Sequence, residues 1–591
     1  MKRSPKGRLE LTWMGKDSAL IPVEDGKYDY SFVDPNDPRA LEVKSIEVLE
    51  QVGEVDGPTG ANENLLIIGD SGDALRSLGT IPEYAEKYGG QVKLVYIDPP
   101  FNTEETFDNY ADQLEHSIWL TLMRDRISEM GALLAPDASI WVHLDDGEVH
   151  RMRLLLDEEF GADRFVTTIV WQKKTSRDNR AAFSSSHDYI LVYALQGAQV
   201  WKHARHRLPD MGRFANPDHD PRGPWRSVPM SAQAGHATQS QFYEITTPTG
   251  VVHSPPPNRA WTYTKPRFEE LLADDLIYWP RNGNGKPRLK KFPTEDDGLV
   301  PMTIWLTDEV GGNPDGKRES SALFGEDSVF DTPKPERLLE RVIHIATSPG
   351  DLVMDFFGGS GTTAAVAHKM GRRWLTVELS RSNAHRFITP RLTAVTRGEE
   401  HGGITSTIER VAVEDLPEGM TAQEAQKFNS LLTKATKGMD TLDPATLKAL
   451  RAATRTRDEK TVLWEGGGGF TVAKMGPSMY EVDDEDGSVY LSPEATNGAW
   501  SKAIAGQLKF TLTPDDPVFC GVRKRQRLAV IDGVADETVV RTVVEHLGEK
   551  EKAVIVAKGV LPEAGDLLQR LSPGSRIKKA PEDVFPKGTV N

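Results

Sequence analysis

Short apolar runs alternate with amphipathic stretches in two parts of the chain, and this alternation predicts a parallel sheet covered by helices. In the first part, the runs at 65–68 and 93–97 are too short for buried helices, so both are predicted to be strands. The apolar positions of 114–134 recur at helical spacing, and the run "SIWVHL" at 139–144 predicts the next strand. Strands that alternate with helices are typical of an α/β fold.

The second regular part covers residues 334–379. Its first apolar stripe predicts a helix that begins near Pro335 and ends before Pro349. A strand, a glycine-rich turn, a helix closed by Gly371 and another strand follow. This succession predicts a complete βαβ unit.

The regular pattern breaks between these two parts and again after residue 414. From about residue 200 the chain is rich in Pro, Gly, Asn, His and aromatic residues, which predicts an irregular inserted domain. A chain of 591 residues is too long for one hydrophobic core, so several domains are expected. The predicted segments are a loosely packed N-terminal lead-in (1–60), a first core part (61–198), the inserted domain (199–330), a second core part (331–414), a helical and glycine-rich region (415–514) and a small α/β appendage (515–591).

The composition is ordinary for a globular protein, with 38% hydrophobic and 27% charged residues. No apolar run reaches the roughly 18 residues that a membrane-spanning helix needs, and residues 1–13 carry no apolar stretch behind their basic residues. The single cysteine, Cys520, cannot form an internal disulfide and excludes a cysteine-rich zinc site. These features predict a cytoplasmic protein that does not enter a membrane.

The net charge of -17 argues against a protein that coats nucleic acid with its whole surface. Between residues 171 and 320, however, 20 Lys and Arg accompany 17 Asp and Glu, so the acidic excess lies elsewhere. Basic residues interleaved with aromatic residues can hold phosphates and stack on bases, which makes Lys173 and Lys174 candidate phosphate contacts. The alternative is that these aromatic residues form the core of an irregular domain. The window holds six of the twelve tryptophans, namely Trp171, Trp201, Trp225, Trp261, Trp279 and Trp305.

The stretch "DLVMDFFGGSGTT" (351–363) places glycines where a strand turns into a helix, so the backbone can approach a ligand and offer it N–H groups. Residues 359–364 satisfy the dinucleotide pattern with alanine in the last position. Glu378 ends the strand that follows, where an acid can accept hydrogen bonds from ribose hydroxyls. A nicotinamide or flavin nucleotide and S-adenosylmethionine both fit these residues. Phe357 before the glycines, and the absence of a second half-fold, favour S-adenosylmethionine.

The strand at 93–97 runs into Asp98, Pro99, Pro100 and Phe101. Ligands of open α/β sheets bind beyond the carboxyl ends of the strands, and this end offers a carboxylate, rigid carbonyls and a flat ring. The combination fits a planar base with an exocyclic amino group, which Asp98 and the Pro99 carbonyl would hold by its N–H groups while Phe101 stacks on it. A base in a duplex would have to flip out to reach this pocket. A simple strand-ending turn is the alternative.

Other chemistries lack their residues. Methylation of cytosine at C5 needs a cysteine nucleophile, generally after a proline, whereas Cys520 follows Phe519 far from the glycine loop. His143, His187 and His368 show no metal-ligand spacing and are interpreted as structural, so no metal site is predicted. Because the chain has no "GxxxxGK[ST]" loop, any ATPase would have to come from a partner.

With these elements in this order, the chain resembles the β class of DNA amino-methyltransferases, and within it the modification subunits of type III restriction-modification systems. The resemblance covers about residues 1–400, with the acid-proline element ahead of the glycine loop and a recognition region between them. The segments that carry it are "LELTWMGKD" (9–17), "NLLIIGDSGDAL" (64–75), "VYIDPPFNT" (95–103), "IWVHLDDGE" (140–148), "IVWQKK" (169–174), "HDYILVYA" (187–194), "TPKPERLL" (332–339) and "DFFGGSGTT" (355–363).

The resemblance implies a class I S-adenosylmethionine-dependent methyltransferase fold, Rossmann-like and circularly permuted, with an inserted target-recognition domain and the C-terminal appendage. The strands that end at Asp98 and Asp355 would lie side by side. The implied reaction transfers a methyl group from S-adenosylmethionine to N6 of a flipped-out adenine, with residues 98–101 as the catalytic element. The implied cofactor contacts are Asp70, Lys334, Pro335, Asp355, Phe357, Gly359, Ser360, Gly361, Thr362, Thr363 and Glu378.

The resemblance also implies partners. These are double-stranded DNA, a second copy of the chain in a homodimer and, in a restriction-modification or phage-defence system, a partner that supplies the ATPase and nuclease. An acid at the first position of the catalytic element is typical of adenine-N6 enzymes, whereas cytosine-N4 enzymes usually carry serine there. Two alternatives stay open, a cytosine-N4 methyltransferase and a DNA-recognition subunit that directs a partner nuclease.

Overall fold

The computed structural model describes residues 10–23, 26–101, 115–209, 218, 220–292, 298–325, 330–414, 416–417, 420–437, 443–483 and 488–585. The chain divides into two compact units, residues 1–205 with 303–591 and residues 206–302. No helix in the described ranges is long and apolar enough to cross a membrane.

The larger unit is built on a mixed sheet of ten strands. Its central strands are apolar runs that are buried on both faces, as expected for a parallel sheet between layers of helices. The strands are β1 (Ile46–Gly53), β2 (Leu65–Ile68), β3 (Val92–Ile97), β4 (Leu134–Leu144), β5 (Phe165–Gln172), β6 (His187–Ala194), β7 (Ile304–Trp305), β8 (Leu352–Asp355), β9 (Arg373–Glu378) and β10 (Gly469–Met475).

The order across this sheet is β7-β5-β6-β4-β3-β8-β9-β2-β10-β1. Six neighbouring strands in this order run parallel to one another, namely β4, β3, β8, β9, β2 and β10. The chain leaves β3 for β4 on one side and leaves β8 for β9 on the other, so β3 and β8 flank the switch point at which ligands bind in open α/β sheets. The strands that lead into Asp98 and end at Asp355 therefore lie side by side, as the resemblance implied.

Six helices position the residues discussed below. The helix predicted near Pro335 begins at Glu336, and its apolar residues Leu338, Leu339 and Val342 are fully buried. Burial of such a stripe is the main source of its stability. The six helices are α1 (Ser71–Thr80), α2 (His116–Glu129), α3 (Val149–Glu159), α4 (Glu336–Ala346), α5 (Thr362–Lys369) and α6 (Thr389–Arg397).

Part of the segment interpreted as a loosely packed lead-in belongs to the core. Strand β1 pairs antiparallel with β10 at the edge of the sheet, and β10 comes from the region interpreted as helical and glycine-rich. Tyr30, in a hairpin of Ala19–Pro22 and Tyr30–Val33, is buried. The sequence pattern did not reveal β1 because it is an edge strand, largely exposed and rich in polar residues.

The smaller unit, His206–Met302, has a core of its own around the helix Lys265–Ala273. It is narrower than the predicted insertion of 199–330, because β7 and the helices Thr307–Val310 and Asn313–Phe324 belong to the larger unit. Its strands form a three-stranded sheet (Ile277–Tyr278, Arg288–Lys291, Arg226–Pro229) and two pairs (Ser231–Gln233 with Arg259–Trp261, Ile245–Thr246 with Val252–His253).

The C-terminal part contains a five-stranded sheet and a separate hairpin. The sheet consists of β11 (Thr511–Leu512), β12 (Gly521–Arg523), β13 (Gln526–Ala535), β14 (Lys552–Val560) and β15 (Arg576–Lys579) in that order, with helices Glu537–Glu545 and Pro562–Leu571. The hairpin pairs Ser406–Ala412 with Thr456–Val462 around the helices Ala422–Ala435 and Pro444–Ala453. Other elements are the helices Pro38–Leu41, Pro82–Tyr88, Ala198–Ala204, Arg381–Asn383, Ala384–Ile388 and Asn497–Gln507, and the strands Tyr480–Val482 and Val489–Leu491.

Candidate active site

A cavity of about 430 Å³ lies at the carboxyl ends of β3 and β8. Its volume falls in the range of roughly 300–1,000 Å³ that is usual for small-molecule sites. The acid-proline element after β3 and the glycine loop after β8 both line it. Of the residues predicted for the site, Asp70, Pro335, Gly361 and Glu378 are not in the cavity wall, and all the others are.

The carboxylate of Asp98 has one paired and one unpaired oxygen. Its Oδ2 forms a short ion pair with Nζ of Lys334, whose side chain is almost fully buried. Its Oδ1 is buried and has no hydrogen-bond partner among the described residues. Because a buried oxygen without a donor costs free energy, this position favours a ligand that brings an N–H group.

The ring of Phe101 contacts an aromatic ring and a cation of the protein. Its ring stacks on the ring of His143, with centroids 5.9 Å apart and planes 23° apart, and Nζ of Lys334 lies 5.1 Å from the Phe101 centroid. Burial lowers the pKa of His143, so this imidazole is neutral at pH 7. The indole N–H of Trp119 donates to the carbonyl oxygen of Pro100 at 2.8 Å, which fixes the backbone next to Phe101.

The glycine loop turns sharply between β8 and α5. Gly359 has a left-handed backbone (φ 53°), and its N–H donates to Oε2 of Glu378 at 2.8 Å. A Cβ at Gly359 would come no closer than 3.6 Å to a neighbour, the ring of Phe330. There is therefore room for a side chain at this position, and it is the left-handed backbone angle that favours glycine. At Gly361 (φ 73°) a Cβ would meet the side chain of Ile388 at 3.0 Å, so both angle and space require glycine.

Asp355 ends β8 in the cavity wall. Burial raises the pKa of Asp355 to about 7, and the charges of Asp98 and Glu378 act in the same direction. The N–H of Phe357 donates to Oδ1 of Asp355 at 3.0 Å, and the Phe357 ring stacks on Tyr28 with centroids 6.4 Å apart. Asp355 therefore changes its charge near neutral pH.

A buried cluster of two acids and two cations lies behind the glycine loop. Arg391 donates from Nη1 to Oγ1 of Thr362 at 2.7 Å, at the start of α5. Glu336 starts α4 two residues after Lys334, so the cluster connects the segment that pairs with Asp98 to the loop. All four side chains are at most 4% exposed, and the ion pairs measure 2.6–3.2 Å. The members of this cluster are Glu336, Lys369, Arg391 and Glu400.

The predicted site residues outside the cavity wall have structural partners. Asp70 caps α1 with Oδ1, and its Oδ2 is bound by Arg126 at 2.6 Å and by the Tyr30 hydroxyl at 2.8 Å. Glu378 accepts the N–H groups of Gly359 and Ser380. Pro335 directly precedes α4. Cofactor contacts of Asp70, Pro335 and Glu378 stay predictions.

The two candidate phosphate-binding lysines differ in their surroundings. Nζ of Lys173 forms an ion pair with the buried Asp188 at 2.6 Å. Burial would raise the pKa of Asp188, but a hydrogen bond from His143 and the charge of Lys173 lower it to about 2. The charge of Lys173 is thus already neutralised, and phosphate would have to compete with Asp188 for it. Lys174 lines the cavity beside it.

The structure adds residues that the sequence argument missed, among them Tyr28, Asp145 and Asn313, which line the cavity. Asp145 directly follows β4, the neighbour of β3, so the same strand-end rule that selected Asp98 could have found it. Tyr28 and Asn313 come from segments without a periodic pattern, and only the folded chain brings them to the site.

The tryptophans of the window 171–320 are mostly core residues, as the alternative interpretation held. Trp171, Trp201, Trp225, Trp261 and Trp305 are at most 8% exposed. These five rings are therefore not available to stack on bases. Within the described residues, no group of three or more His, Cys, Asp and Glu is arranged to hold a metal ion.

The sheet order and the cavity at its switch point define an α/β methyltransferase fold. A family model described as DNA methylase matches residues 92–387, which is half of the chain and includes both lining elements. The chain belongs to this DNA methylase family.

Several named proteins are similar to this chain. The Mod subunit of the type III restriction-modification enzyme StyLTI of Salmonella typhimurium is 33% identical over 339 residues, which cover 51% of this chain and 49% of that one. The type II methyltransferase M.EcaI of Enterobacter cloacae is 30% identical over 303 residues, covering 49% and 63%. The chain thus spans about half the length of the first of these relatives and somewhat more of the second. A solved DNA modification methylase of Thermus thermophilus, complexed with S-adenosyl-L-methionine, is 18% identical and covers 56% of this chain and 93% of its own, with a TM-score of 0.29.

Proposed function

We propose that the protein is an S-adenosylmethionine-dependent DNA methyltransferase that modifies N6 of a flipped-out adenine within a specific double-stranded sequence. The observation that carries this proposal is Oδ1 of Asp98, which is buried, is not paired with any described residue and belongs to a side chain that lines the same cavity as the glycine loop. Membership in the DNA methylase family supports it.

The residues around the glycine loop suit S-adenosylmethionine, which supplies a methyl group on a positively charged sulfur. The left-handed turn at Gly359 brings backbone to the cavity wall, and Asp355 offers a carboxyl group that becomes anionic near pH 7 and attracts a cation. The residues proposed to hold the cofactor are Asp70, Lys334, Pro335, Asp355, Phe357, Gly359, Ser360, Gly361, Thr362, Thr363 and Glu378.

Asp98 acts on the target base. The amino nitrogen of adenine is a poor nucleophile because its lone pair is delocalised into the ring. Oδ1 of Asp98 accepts one N–H of that amino group and the Pro99 carbonyl accepts the other, which turns the lone pair away from the ring. Lys334 occupies Oδ2, so Oδ1 is the acceptor left for the base. Such positioning can supply several kcal/mol of the barrier.

Phe101 stacks on the flipped base and sets its plane. The contacts of Phe101 with His143 and Lys334 keep the ring in one orientation before the base arrives. A preorganised ring loses less conformational entropy on binding than a free one. Asp98 at the first position of the acid-proline element favours N6 of adenine over N4 of cytosine as the methylated atom.

The relatives support a proposal about the wider system. Because similar proteins are named Mod subunits of type III restriction-modification enzymes, the chain is proposed to work as a homodimer with a restriction or defence partner that carries the ATPase and nuclease. In that assembly, this chain would determine which DNA sequence is recognised.

The test is a methyl-transfer assay with the full chain, tritiated S-adenosylmethionine and unmethylated genomic DNA, followed by nucleoside analysis and base-resolved sequencing. N6-methyladenine at one sequence motif is the expected product, and Asp98→Asn is the control with strongly reduced turnover. N4-methylcytosine would assign the other amino-methyltransferase class. If no tritiated methyl group is incorporated into any DNA while sequence-specific DNA binding is retained, the chain is a DNA-recognition subunit and not an active methyltransferase.

A further inference from the structure

The loop 173–186, which connects β5 to β6, forms part of the cavity wall. Lys173 and Lys174 at its start and Ser185 near its end all line the cavity. The ion pair of Lys173 with the buried Asp188 anchors the loop to β6. Both ends of the loop therefore lie at the site where the target base is proposed to enter.

Phe183 stands out from this loop. Its side chain is 94% exposed, more than any other large hydrophobic side chain in the described part of the protein. Two residues of chain span at most about 7 Å, so the backbone of Phe183 lies near the cavity wall at Ser185. An exposed aromatic ring gains free energy when an apolar partner covers it.

The tip that carries Phe183 is closed by hydrogen bonds within the loop. The N–H of Asp178 donates to Oγ of Ser184 at 3.0 Å, and the N–H of Arg180 donates to Oδ1 of Asp178 at 3.0 Å. Residues 181–183 lie between these contacts and are all exposed. The tip thus presents a small apolar surface on a short, closed turn.

The rest of the loop is basic. Residues 173–186 contain four Lys or Arg and one acid, Asp178, in a chain with a net charge of -17. Asp178 is itself paired with Arg180. Lys174 and Arg177 are then the cations of the loop that remain for phosphate contacts. DNA-kinking proteins combine such cations with an apolar side chain that enters between base steps.

From these observations we infer that Phe183 is a wedge that enters the base stack as the target adenine leaves it. This inference rests on the proposed function. Extrusion of a base costs a few kcal/mol of pairing and stacking, and a ring that fills the vacated space offsets part of this cost. Phe183 is a positioning residue: it acts on the duplex and does not touch the reacting atoms.

The experiment compares Phe183→Ala with the wild-type chain on two duplexes that carry the motif methylated by the wild type. In one duplex the target adenine is paired, and in the other it faces an abasic site. Phe183→Ala should slow methyl transfer on the paired duplex by about 10- to 100-fold. It should approach the wild-type rate on the abasic duplex, because no pair has to be broken there. Phe183→Trp, which keeps a stacking ring, should stay active on both.

Two controls separate the wedge from other effects. Ile408→Ala removes another exposed apolar side chain, 65% exposed on the strand Ser406–Ala412, and should leave both rates unchanged. S-adenosylmethionine affinity of Phe183→Ala, measured by calorimetry, should match the wild type.

Four results count against the inference or its basis. An unchanged rate of Phe183→Ala on the paired duplex would overturn the wedge, as would an equal loss on both duplexes. Unchanged rates together with lost binding of a partner protein would assign the ring to a protein contact. A wild-type chain that methylates no motif in unmethylated genomic DNA would refute the proposed function itself.

Discussion

The ammonium group of Lys334 is paired with Oδ2 of Asp98, while Oδ1 of the same carboxylate is buried with no partner in the part of the chain that the structure describes. The two residues lie 236 positions apart, on either side of the inserted unit. Their ion pair fixes the carboxylate in one orientation, with a single oxygen left to accept an N–H group. Glu336, two residues after Lys334, connects this pair through Arg391 to the glycine loop.

Asp98→Asn should reduce turnover by on the order of 10²–10³-fold or more, because an amide holds the amino group of the base less strongly than a carboxylate does. Cofactor affinity should change little, since the glycine loop keeps its own hydrogen bonds. Single-turnover methyl transfer and calorimetry with S-adenosylmethionine measure the two quantities. If affinity for the cofactor falls as steeply as turnover, Asp98 has been given the wrong role.

Gly359→Val should weaken S-adenosylmethionine binding by about tenfold or more, because a β-branched residue in the left-handed region costs about 1–2 kcal/mol and shifts the loop. Gly371→Val is the matched control, since Gly371 has a similar angle (φ 70°) at the end of α5, outside the cavity wall. Calorimetry should show a loss for Gly359→Val only. Equal losses in both variants would contradict a direct role of the loop.

Affinity for S-adenosylmethionine should rise between pH 6 and pH 8. Burial raises the pKa of Asp355 to about 7, so this carboxyl group is mostly neutral at pH 6 and mostly anionic at pH 8, where it attracts a cation. The same raised pKa makes the contribution of Asp355 to the stability of the ligand-free chain decrease as pH rises from about 4 to about 7, because the folded state binds the proton more strongly than the unfolded state.

Asp355→Asn is the control for this pH dependence. The amide keeps an oxygen that can accept the N–H of Phe357 but does not titrate. Titrations with S-adenosylmethionine at several pH values should show that the affinity of Asp355→Asn does not depend on pH. If the affinity of the wild type is equally independent of pH, Asp355 does not contribute to cofactor binding.

The apolar pattern was sufficient to predict the two elements that line the cavity, whereas their adjacency was implied by the resemblance to DNA amino-methyltransferases. Asp98 and Gly359 stand where apolar runs stop, and strand ends follow from local pattern. The sequence argument did not predict edge strand β1, because half-exposed strands resemble loops. It did not predict Tyr28 and Asn313 as site residues, because only tertiary packing places them at the cavity. The ion pair of Lys173 with Asp188 escaped for the same reason, since no local pattern shows that a charge is already neutralised.

Arg391→Met should lower the free energy of unfolding by about 3–5 kcal/mol, because it leaves Glu336 and Glu400 buried with one cation in place of two. Arg341→Met is the matched control. Arg341 forms a partly exposed pair with Glu309, and the loss of such a pair costs about 0–1 kcal/mol. Denaturant unfolding monitored by tryptophan fluorescence measures both. A loss for Arg391→Met no larger than that for Arg341→Met would show that the buried cluster does not hold the loop region together.

Lys174→Met should weaken DNA binding for all sequences alike and reduce the slope of log affinity against log salt by about 1, as expected when one phosphate contact is lost. Fluorescence anisotropy at several salt concentrations measures this slope. Lys173→Met provides the contrast, because it leaves the buried Asp188 without its cation and should lower stability more than it changes the salt slope. If Lys174→Met leaves the salt slope intact while Lys173→Met reduces it, the phosphate contact belongs to Lys173, and DNA binding must then break the ion pair with Asp188.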